Sequence, residues 1–236
     1  LELCKRKDIK VSCTANAVTT SVAEFTIGLI LSVIREIPRL ERMLRQGYWE
    51  RYMGGTVENS VIGVVGFGKI GTAVVNLIKS FRPLEVMIVD IADRSNDLLP
   101  YIEQGLNIRQ VSKDEMLRNS DIITLHVPLN DETKNYIAKE ELELMKSSSI
   151  LINTARGSIV NEDDLYTAIK ENKIYSAALD VFDQEPYVGS LAKLDNIILT
   201  SHVGSYTSSC RAKMEMQATE EIIRFFNNES LQNQVY

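Results

Sequence analysis

The chain has 236 residues, of which 44% are hydrophobic, and its formal net charge is −6. This composition can bury a sizeable core in one large or two small domains and excludes a disordered chain. The acidic balance disfavours nucleic acid and anionic membranes as the main partners. No apolar run reaches the roughly 18 residues of a membrane span. The three cysteines, Cys4, Cys13 and Cys210, form no C-x-x-C motif, which is typical of reduced thiols in the cytoplasm.

The first quarter of the chain contains one long apolar helix. Residues 1–10 have helix-like charge spacing, and residues 9–14 are predicted to form a short strand. A helix is predicted over 21–36, with Ser21 as its N-cap and Glu24 three residues later. Its apolar residues cover more than one stripe, so it must lie either in a large core or against a second subunit. We expect the second arrangement, and hence a homodimer. Residues 40–51 follow as an amphipathic, charged segment.

A glycine motif follows the next strand. The run of apolar residues from Val61 to Val65 is typical of a strand buried on both faces, and Gly66, Gly68 and Gly71 then fit G-x-G-x-x-G at the start of a helix. A second strand over 85–90 ends in Asp90, about 20 residues after the motif, where a carboxylate can bind ribose hydroxyls. The combination predicts a dinucleotide site. The alternative is a glycine-rich turn that binds no ligand.

The rest of the chain alternates between strands and helices. Strands are predicted over 85–90, 121–126, 149–153, 174–179 and 196–200, with helices such as 113–118 and 162–171 between them and a final helix over 208–227. Alternation of this kind predicts an α/β fold with a doubly wound parallel sheet, the Rossmann arrangement.

Several polar side chains stand where these strands end, the edge at which such a sheet binds its ligand. They are His126, Arg156, Asp180 and His202, and because the chain has two histidines, an imidazole acid or base must be one of these. Hydride transfer from an alcohol needs a base, a cation for a neighbouring carboxylate, and a carboxylate that holds the imidazole. Arg156 suits the second role and Glu185 the third. Each residue could instead be a capping or surface group.

The literal sequences around these positions are characteristic when taken together. They are VAEFTIGL from Val22, GFGKIG from Gly66, NTARGSIV from Asn153, AALDVFDQEP from Ala177 and SHVGS from Ser201. With these motifs in this order, the chain resembles the D-isomer-specific 2-hydroxyacid dehydrogenase family, most closely its phosphoglycerate dehydrogenase-like members. The resemblance covers essentially all of the chain.

The resemblance implies an NAD-dependent oxidoreductase that interconverts a D-2-hydroxy acid and its 2-oxo acid. It implies that Arg156 binds the substrate carboxylate, that His202 transfers the proton, and that Glu185 is the partner of His202. An acid at position 90 favours NAD over NADP, although Arg94 nearby leaves the reverse open. Together with the glycine motif, the implied cofactor residues are Gly66, Gly68, Lys69, Ile70, Gly71, Asp90, His126, Val127, Pro128, Thr154, Ala155, Arg156, Asp180, His202 and Gly204. No metal site is predicted.

The sequence indicates the domain organisation and the substrate less specifically than it indicates the cofactor. We expect an NAD-binding domain over 15–205, flanked by remnants of a flavodoxin-like substrate domain at 1–14 and 206–236, because family members carry roughly a hundred further residues upstream, a typical small-domain length. Val18 and Tyr206 depart from the residues usual in the family. A phosphoglycerate dehydrogenase-like activity is expected. The alternatives are a glyoxylate or hydroxypyruvate reductase, or an NAD-sensing protein like the corepressors that resemble this family.

Overall fold

The computed structural model describes residues 1–14 and 16–235 and contains a parallel sheet of seven strands in the order β3-β2-β1-β4-β5-β6-β7. The predicted domain boundary at 15 and the last residue, 236, lie outside the described residues. The sheet confirms the predicted α/β, Rossmann-like fold. Its strands are β1 (Val61–Val65), β2 (Glu85–Val89), β3 (Ile108–Gln110), β4 (Ile122–Leu125), β5 (Ile150–Asn153), β6 (Ser176–Leu179) and β7 (Ile197–Leu199).

Nine α-helices accompany the sheet in the described residues: α1 (Glu2–Arg6), α2 (Thr19–Ile34), α3 (Ile37–Arg45), α4 (Lys69–Ile78), α5 (Ser95–Glu103), α6 (Lys113–Asn119), α7 (Lys139–Leu144), α8 (Glu162–Lys170) and α9 (Ser208–Phe226). Several predicted boundaries differ from the structure by a few residues, and two of them lie in the first quarter of the chain. Ser21 does not cap α2, because the helix already begins at Thr19 and the Ser21 hydroxyl donates to the carbonyl of Gly204 at 2.9 Å. The segment predicted over 40–51 is helical to Arg45, and Gly47 follows with a φ of +84°.

Four elements were not anticipated correctly. The predicted strand over 9–14 is wrong, since only Ser12 forms a bridge there, with Gln234. Strand β3 and the helices α5 and α7 were not predicted individually. Helix α5 contains Pro100, which disfavours a helix, and β3 has three residues and takes its extended form from pairing with β2.

The sheet is covered on both faces. Alternate residues of its central strands enter two apolar clusters: Ile62 and Val64 of β1 point into one, and Val65 points into the other. Helix α2 packs against α4, β5 and β6. Its Leu29, Ile30 and Val33 lie in the first of these clusters, so the chain's own core accounts for much of the apolar surface that suggested a subunit interface.

The two ends of the chain lie side by side, outside the sheet. The backbone N–H of Cys13 donates to the carbonyl of Asn233 at 3.0 Å, and that of Val235 donates to the carbonyl of Val11 at 2.8 Å. Helix α9 exposes Ile222 and Phe226. Across the described residues, every helix is too short or too polar to cross a bilayer.

Candidate active site

The glycine motif forms the tight turn between β1 and α4. Gly66 has a φ of +90°, in the left-handed region, and a Cβ there would meet the carbonyl oxygen of His126 at 2.6 Å. A Cβ on Gly71 would lie 2.0 Å from the carbonyl oxygen of Gly66, so the start of α4 packs against the turn at a distance that only glycine permits. Beside Gly68 there is open space. The turn therefore leaves room for a pyrophosphate at the N-terminus of α4, as an NAD site requires.

Asp90 lies at the end of β2, beside this turn. Its Oδ2 accepts the backbone N–H of Phe67 at 2.7 Å, and its Oδ1 accepts that of Ala92 at 2.9 Å. The Nε atom of Arg94 is 3.3 Å from Oδ2. Burial alone would raise the pKa of Asp90, but the two backbone donors and Arg94 outweigh burial and lower the pKa. The carboxylate is therefore charged at neutral pH, and its two oxygens are held by the turn and by Ala92.

A cavity of about 290 Å³ opens at the carboxyl ends of the central strands. It brings together most of the predicted cofactor residues, and its volume suits part of a dinucleotide rather than the whole. Lys69 is not part of it, because its ammonium group instead donates to Asn16. The lining residues are Val18, Val22, Ile70, His126, Val127, Pro128, Thr154, Ala155, Arg156, Asp180, His202, Gly204 and Ser205.

Asp180 fixes the loop that carries His202. The residue is 2% exposed, and its carboxylate accepts hydrogen bonds from the Thr200 hydroxyl at 2.6 Å and from the backbone N–H groups of Val203 and Gly204 at 2.9 and 2.8 Å. The backbone N–H of His202 donates to the Asp180 carbonyl at 2.9 Å. These bonds hold the backbone of His202 at a φ of +55°, a conformation that residues other than glycine rarely adopt.

The structure brings Glu185 and His202 into contact. The Nδ1 atom of His202 lies 2.9 Å from Oε2 of Glu185 and 3.1 Å from Oε1. Glu185 also accepts the backbone N–H of Phe182 at 3.1 Å. The hydrogen bond from His202 is the main reason that the pKa of Glu185 is lowered. Because Nδ1 faces the carboxylate, Nε2 is the ring nitrogen left for proton transfer.

His202 stands between two cavities. The second has a volume of about 650 Å³ and is mainly apolar, with Phe182, Tyr187 and Leu199 in its wall together with Glu185. The rings of Phe182 and Tyr187 are stacked with their centroids 4.2 Å apart. The His202 imidazole can therefore contact a molecule bound in either cavity.

Arg156 is an exposed residue at the mouth of the first cavity. One guanidinium nitrogen donates to the carbonyl of Ala155 at 2.6 Å. Its charge contributes to the lowered pKa of Glu185, although less than His202 does. The remaining guanidinium N–H groups can bind a carboxylate beside His202.

His126 lines the same cavity but is placed for a different role. Its Nε2 is 3.0 Å from the Thr124 hydroxyl, while Nδ1 is buried and has no hydrogen-bond partner in the structure. Part of the residue reaches the surface, yet the ring nitrogens are shielded, and this burial lowers the pKa of His126 to about 3. A neutral imidazole at physiological pH is a cavity wall and not a proton donor.

Sequence reasoning missed the residues that support this site from behind. Thr26, Thr124 and Thr200 each hydrogen-bond to a predicted site residue. No local motif marks them: Thr26 and Thr124 are buried within a helix and a strand, Thr200 directly follows β7, and a single threonine at such positions has no sequence pattern of its own.

Comparisons with known proteins agree with this geometry. Residues 27–204 match the family model for the D-isomer specific 2-hydroxyacid dehydrogenase NAD binding domain. The glyoxylate reductase of Thermofilum pendens is 38% identical over 232 residues, which are 95% of this chain and 67% of that protein. The D-3-phosphoglycerate dehydrogenase of Methanocaldococcus jannaschii is 35% identical over all of this chain and 44% of that protein.

A solved structure shows the same architecture. The D-lactate dehydrogenase of Aquifex aeolicus, determined with NAD and lactic acid, superposes with a TM-score of 0.88 at 29% identity, over 99% of this chain and 75% of that one. The family match, the relatives and the glycine turn agree on the cofactor and on the class of enzyme. The chain belongs to the D-isomer specific 2-hydroxyacid dehydrogenase family and is an NAD-dependent oxidoreductase.

Proposed function

We propose that this chain forms the cofactor-binding and acid–base part of a reductase that converts a short 2-oxo acid, such as glyoxylate or hydroxypyruvate, into the corresponding 2-hydroxy acid. The observation that carries the proposal is the 2.9 Å contact between Glu185 and His202 at the wall of the cofactor cavity, with Arg156 beside it. The similarity to glyoxylate reductases supports the choice of substrate.

Each of the three residues has a separate role in this proposal. Arg156 binds the substrate carboxylate and so orients the neighbouring carbonyl. Glu185 accepts the hydrogen bond from Nδ1 of His202, which fixes the orientation of the ring. His202 then donates the proton on Nε2 to the carbonyl oxygen, which becomes the hydroxyl group. NADH, when bound, supplies the hydride that the substrate carbon receives.

The charges of the site favour a substrate with one anionic group. Among the described residues that line the two cavities, Arg156 is the one Lys or Arg side chain, and the acidic residues are Asp180 and Glu185. A second anionic group on the substrate would therefore have no Lys or Arg of its own in these cavities. Oxidation of D-3-phosphoglycerate is the second candidate, which the Methanocaldococcus jannaschii relative favours.

The experiment compares glyoxylate, hydroxypyruvate and D-3-phosphoglycerate as substrates of the chain and of its His202→Ala variant. We expect turnover of the oxo acids with NADH, a loss of at least a hundredfold in the variant, and nearly unchanged NADH affinity by calorimetry. Turnover of D-3-phosphoglycerate alone would favour the second candidate. NADH binding without turnover of any of the three would favour the NAD-sensing alternative and overturn the proposal.

We also infer that the chain forms a homodimer through α2. One strip of this helix keeps accessible surface: Glu24 and Gly28 are exposed, and Ile27 and Leu31, which pack against the core at their inner side, are half-buried. A glycine at the centre of such a strip lets a second helix approach closely. Light scattering at micromolar concentration should give twice the mass of 26.6 kDa, and a Gly28→Arg variant should give the monomer.

The flanking segments 1–14 and 206–235 are proposed to form a structural unit apart from the NAD-binding sheet. The hydrogen bond between Val235 and Val11 and the apolar residues that α9 exposes support this proposal. Hydrogen exchange should then show these segments opening together and more easily than β1 and β4. Opening of the two segments at unrelated rates would contradict it.

A further inference from the structure

Helix α2 places one hydroxyl group directly behind the cofactor cavity. Thr26 is fully buried, and its Oγ1 lies 2.8 Å from the carbonyl oxygen of Val22 and 2.9 Å from Oγ1 of Thr154. Thr154 follows β5 and lines the cavity together with Arg156 and His202. The buried hydroxyl of Thr26 therefore contacts a residue that faces the cavity without lining the cavity itself.

The two short distances determine which way each hydroxyl points. A threonine hydroxyl has one proton, and a carbonyl oxygen has none. If Thr26 donated its proton to Thr154, the oxygen atoms of Thr26 and Val22 would face each other at 2.8 Å with no proton between them, which is repulsive. Both contacts are hydrogen bonds only when Thr26 donates to Val22 and Thr154 donates to Thr26.

This arrangement fixes the direction in which the Thr154 hydroxyl donates its hydrogen bond. Its proton points back into the core toward Thr26, so the free lone pair of its hydroxyl oxygen is what the cavity can use. A group bound there must donate a hydrogen bond to Thr154 and cannot accept one from it. Asp180 also offers an acceptor to this cavity, but its carboxylate is positioned by Thr200, Val203 and Gly204 and so does not depend on Thr26.

We propose that Thr26 is a positioning residue for the nicotinamide: by holding the Thr154 proton away from the cavity, it makes Thr154 an acceptor for the amide N–H of the carboxamide. The inference rests on the cofactor site described above, in which the reactive ring must lie beside His202. A carboxamide presents both an N–H donor and a carbonyl acceptor, so an acceptor of fixed direction selects one of its two orientations. Orientation of the carboxamide in turn fixes the ring that carries the hydride.

The test uses two dinucleotides that differ at the carboxamide alone. Reduced acetylpyridine adenine dinucleotide keeps the carbonyl of NADH but has a methyl group in place of the amide nitrogen. Their dissociation constants are measured by calorimetry for the unaltered chain, for Thr26→Val, which keeps the shape and removes the hydroxyl, and for Thr26→Ser, which restores it. ADP-ribose, which lacks the ring, is titrated as the control for the rest of the site.

We expect the unaltered chain and Thr26→Ser to bind NADH about fivefold more tightly than the acetylpyridine analogue, the value of one neutral hydrogen bond. In Thr26→Val the preference should fall to about one, with ADP-ribose affinity unchanged. The double variant Thr26→Val/Thr154→Val should be no weaker than Thr154→Val, because Thr26 acts through Thr154.

Three results would overturn the inference. One is an equal affinity of the unaltered chain for the two dinucleotides. Another is a Thr26→Val variant that keeps the fivefold preference or loses ADP-ribose affinity to the same extent as NADH affinity, which marks a structural role. The third is additive losses in the double variant. If the unaltered chain binds neither dinucleotide nor ADP-ribose, the cofactor site itself fails, and that outcome is distinguishable from the other three.

Discussion

Burial of the His126 ring predicts a specific loss of stability in mild acid. The folded state holds this imidazole neutral because burial lowers its pKa to about 3, whereas the unfolded chain has a histidine pKa of about 6.5. Below that value the unfolded state binds one more proton than the folded state. The free energy of unfolding therefore falls as the pH drops from about 6.5, and this decline stops only near the folded-state pKa.

The size of the effect at pH 5 depends almost entirely on the unfolded state. Protonation there contributes about 1.36 kcal/mol for each pH unit below 6.5, hence about 2 kcal/mol at pH 5, and almost nothing at pH 7.5. With a pKa of about 3, the folded state stays neutral at pH 5. His126→Gln removes the ionisable group and keeps a polar atom near Thr124, so its pH response lacks this contribution.

The assay is urea unfolding followed by far-UV circular dichroism, without NADH, at pH 7.5 and pH 5. Between the two pH values the unaltered chain should lose about 2 kcal/mol more stability than His126→Gln, since all other titrating groups are shared. Thr124→Val keeps the imidazole and serves as the matched control, with the full pH-dependent loss. Equal losses in the unaltered chain and His126→Gln would refute the reasoning, because they would mean that the folded state binds the proton as easily as the unfolded chain.

Three further substitutions test the site. Gly71→Ala brings a Cβ to 2.0 Å from a backbone oxygen and should lower the free energy of unfolding by about 1–3 kcal/mol in urea titrations, whereas Gly68→Ala, which meets open space, should leave it nearly unchanged; equal effects would contradict the close approach. Asp180→Asn removes one acceptor oxygen and should speed amide hydrogen exchange at Gly204 at least tenfold; unchanged exchange would mean that the loop is held by other bonds. Glu185→Gln should lower kcat at least tenfold with little change in NADH affinity, and a change confined to affinity would count against its proposed role.

Much of the fold followed from patterns that are local in the chain. The apolar run at β1 and the glycines after it are adjacent in sequence. Gly71 is required by a contact within the same turn, and Gly66 by its left-handed φ and by the backbone that follows β4, whereas Gly68 faces open space. The central strands were predicted because burial on both faces demands continuous apolar residues. Strand β3 was missed because it is short and is extended by pairing with β2, a contact across 22 or more positions that no local pattern records.

The candidate site, too, was predicted only in part from the sequence. Sequence motifs pointed to Arg156, Glu185 and His202, and the structure brings Glu185 and His202 within hydrogen-bonding distance. They did not reveal that Asp180 uses its oxygens to hold the loop that carries His202. Nor did they predict that α2, judged from its composition alone to be an interface helix, is packed largely in the chain's own core.

The sequence by itself determined the family, the cofactor motif and the alternation of strands and helices, because these depend on side chains at fixed short spacings. Only the tertiary structure decided the direction of the hydrogen bonds around the cavity. Thr26 and Thr154 are 128 positions apart, and His126 becomes a neutral wall only when the sheet and its loops bury it. Proton positions and pKa values depend on which groups the fold brings together and how far it excludes water, and neither quantity can be read from residue order.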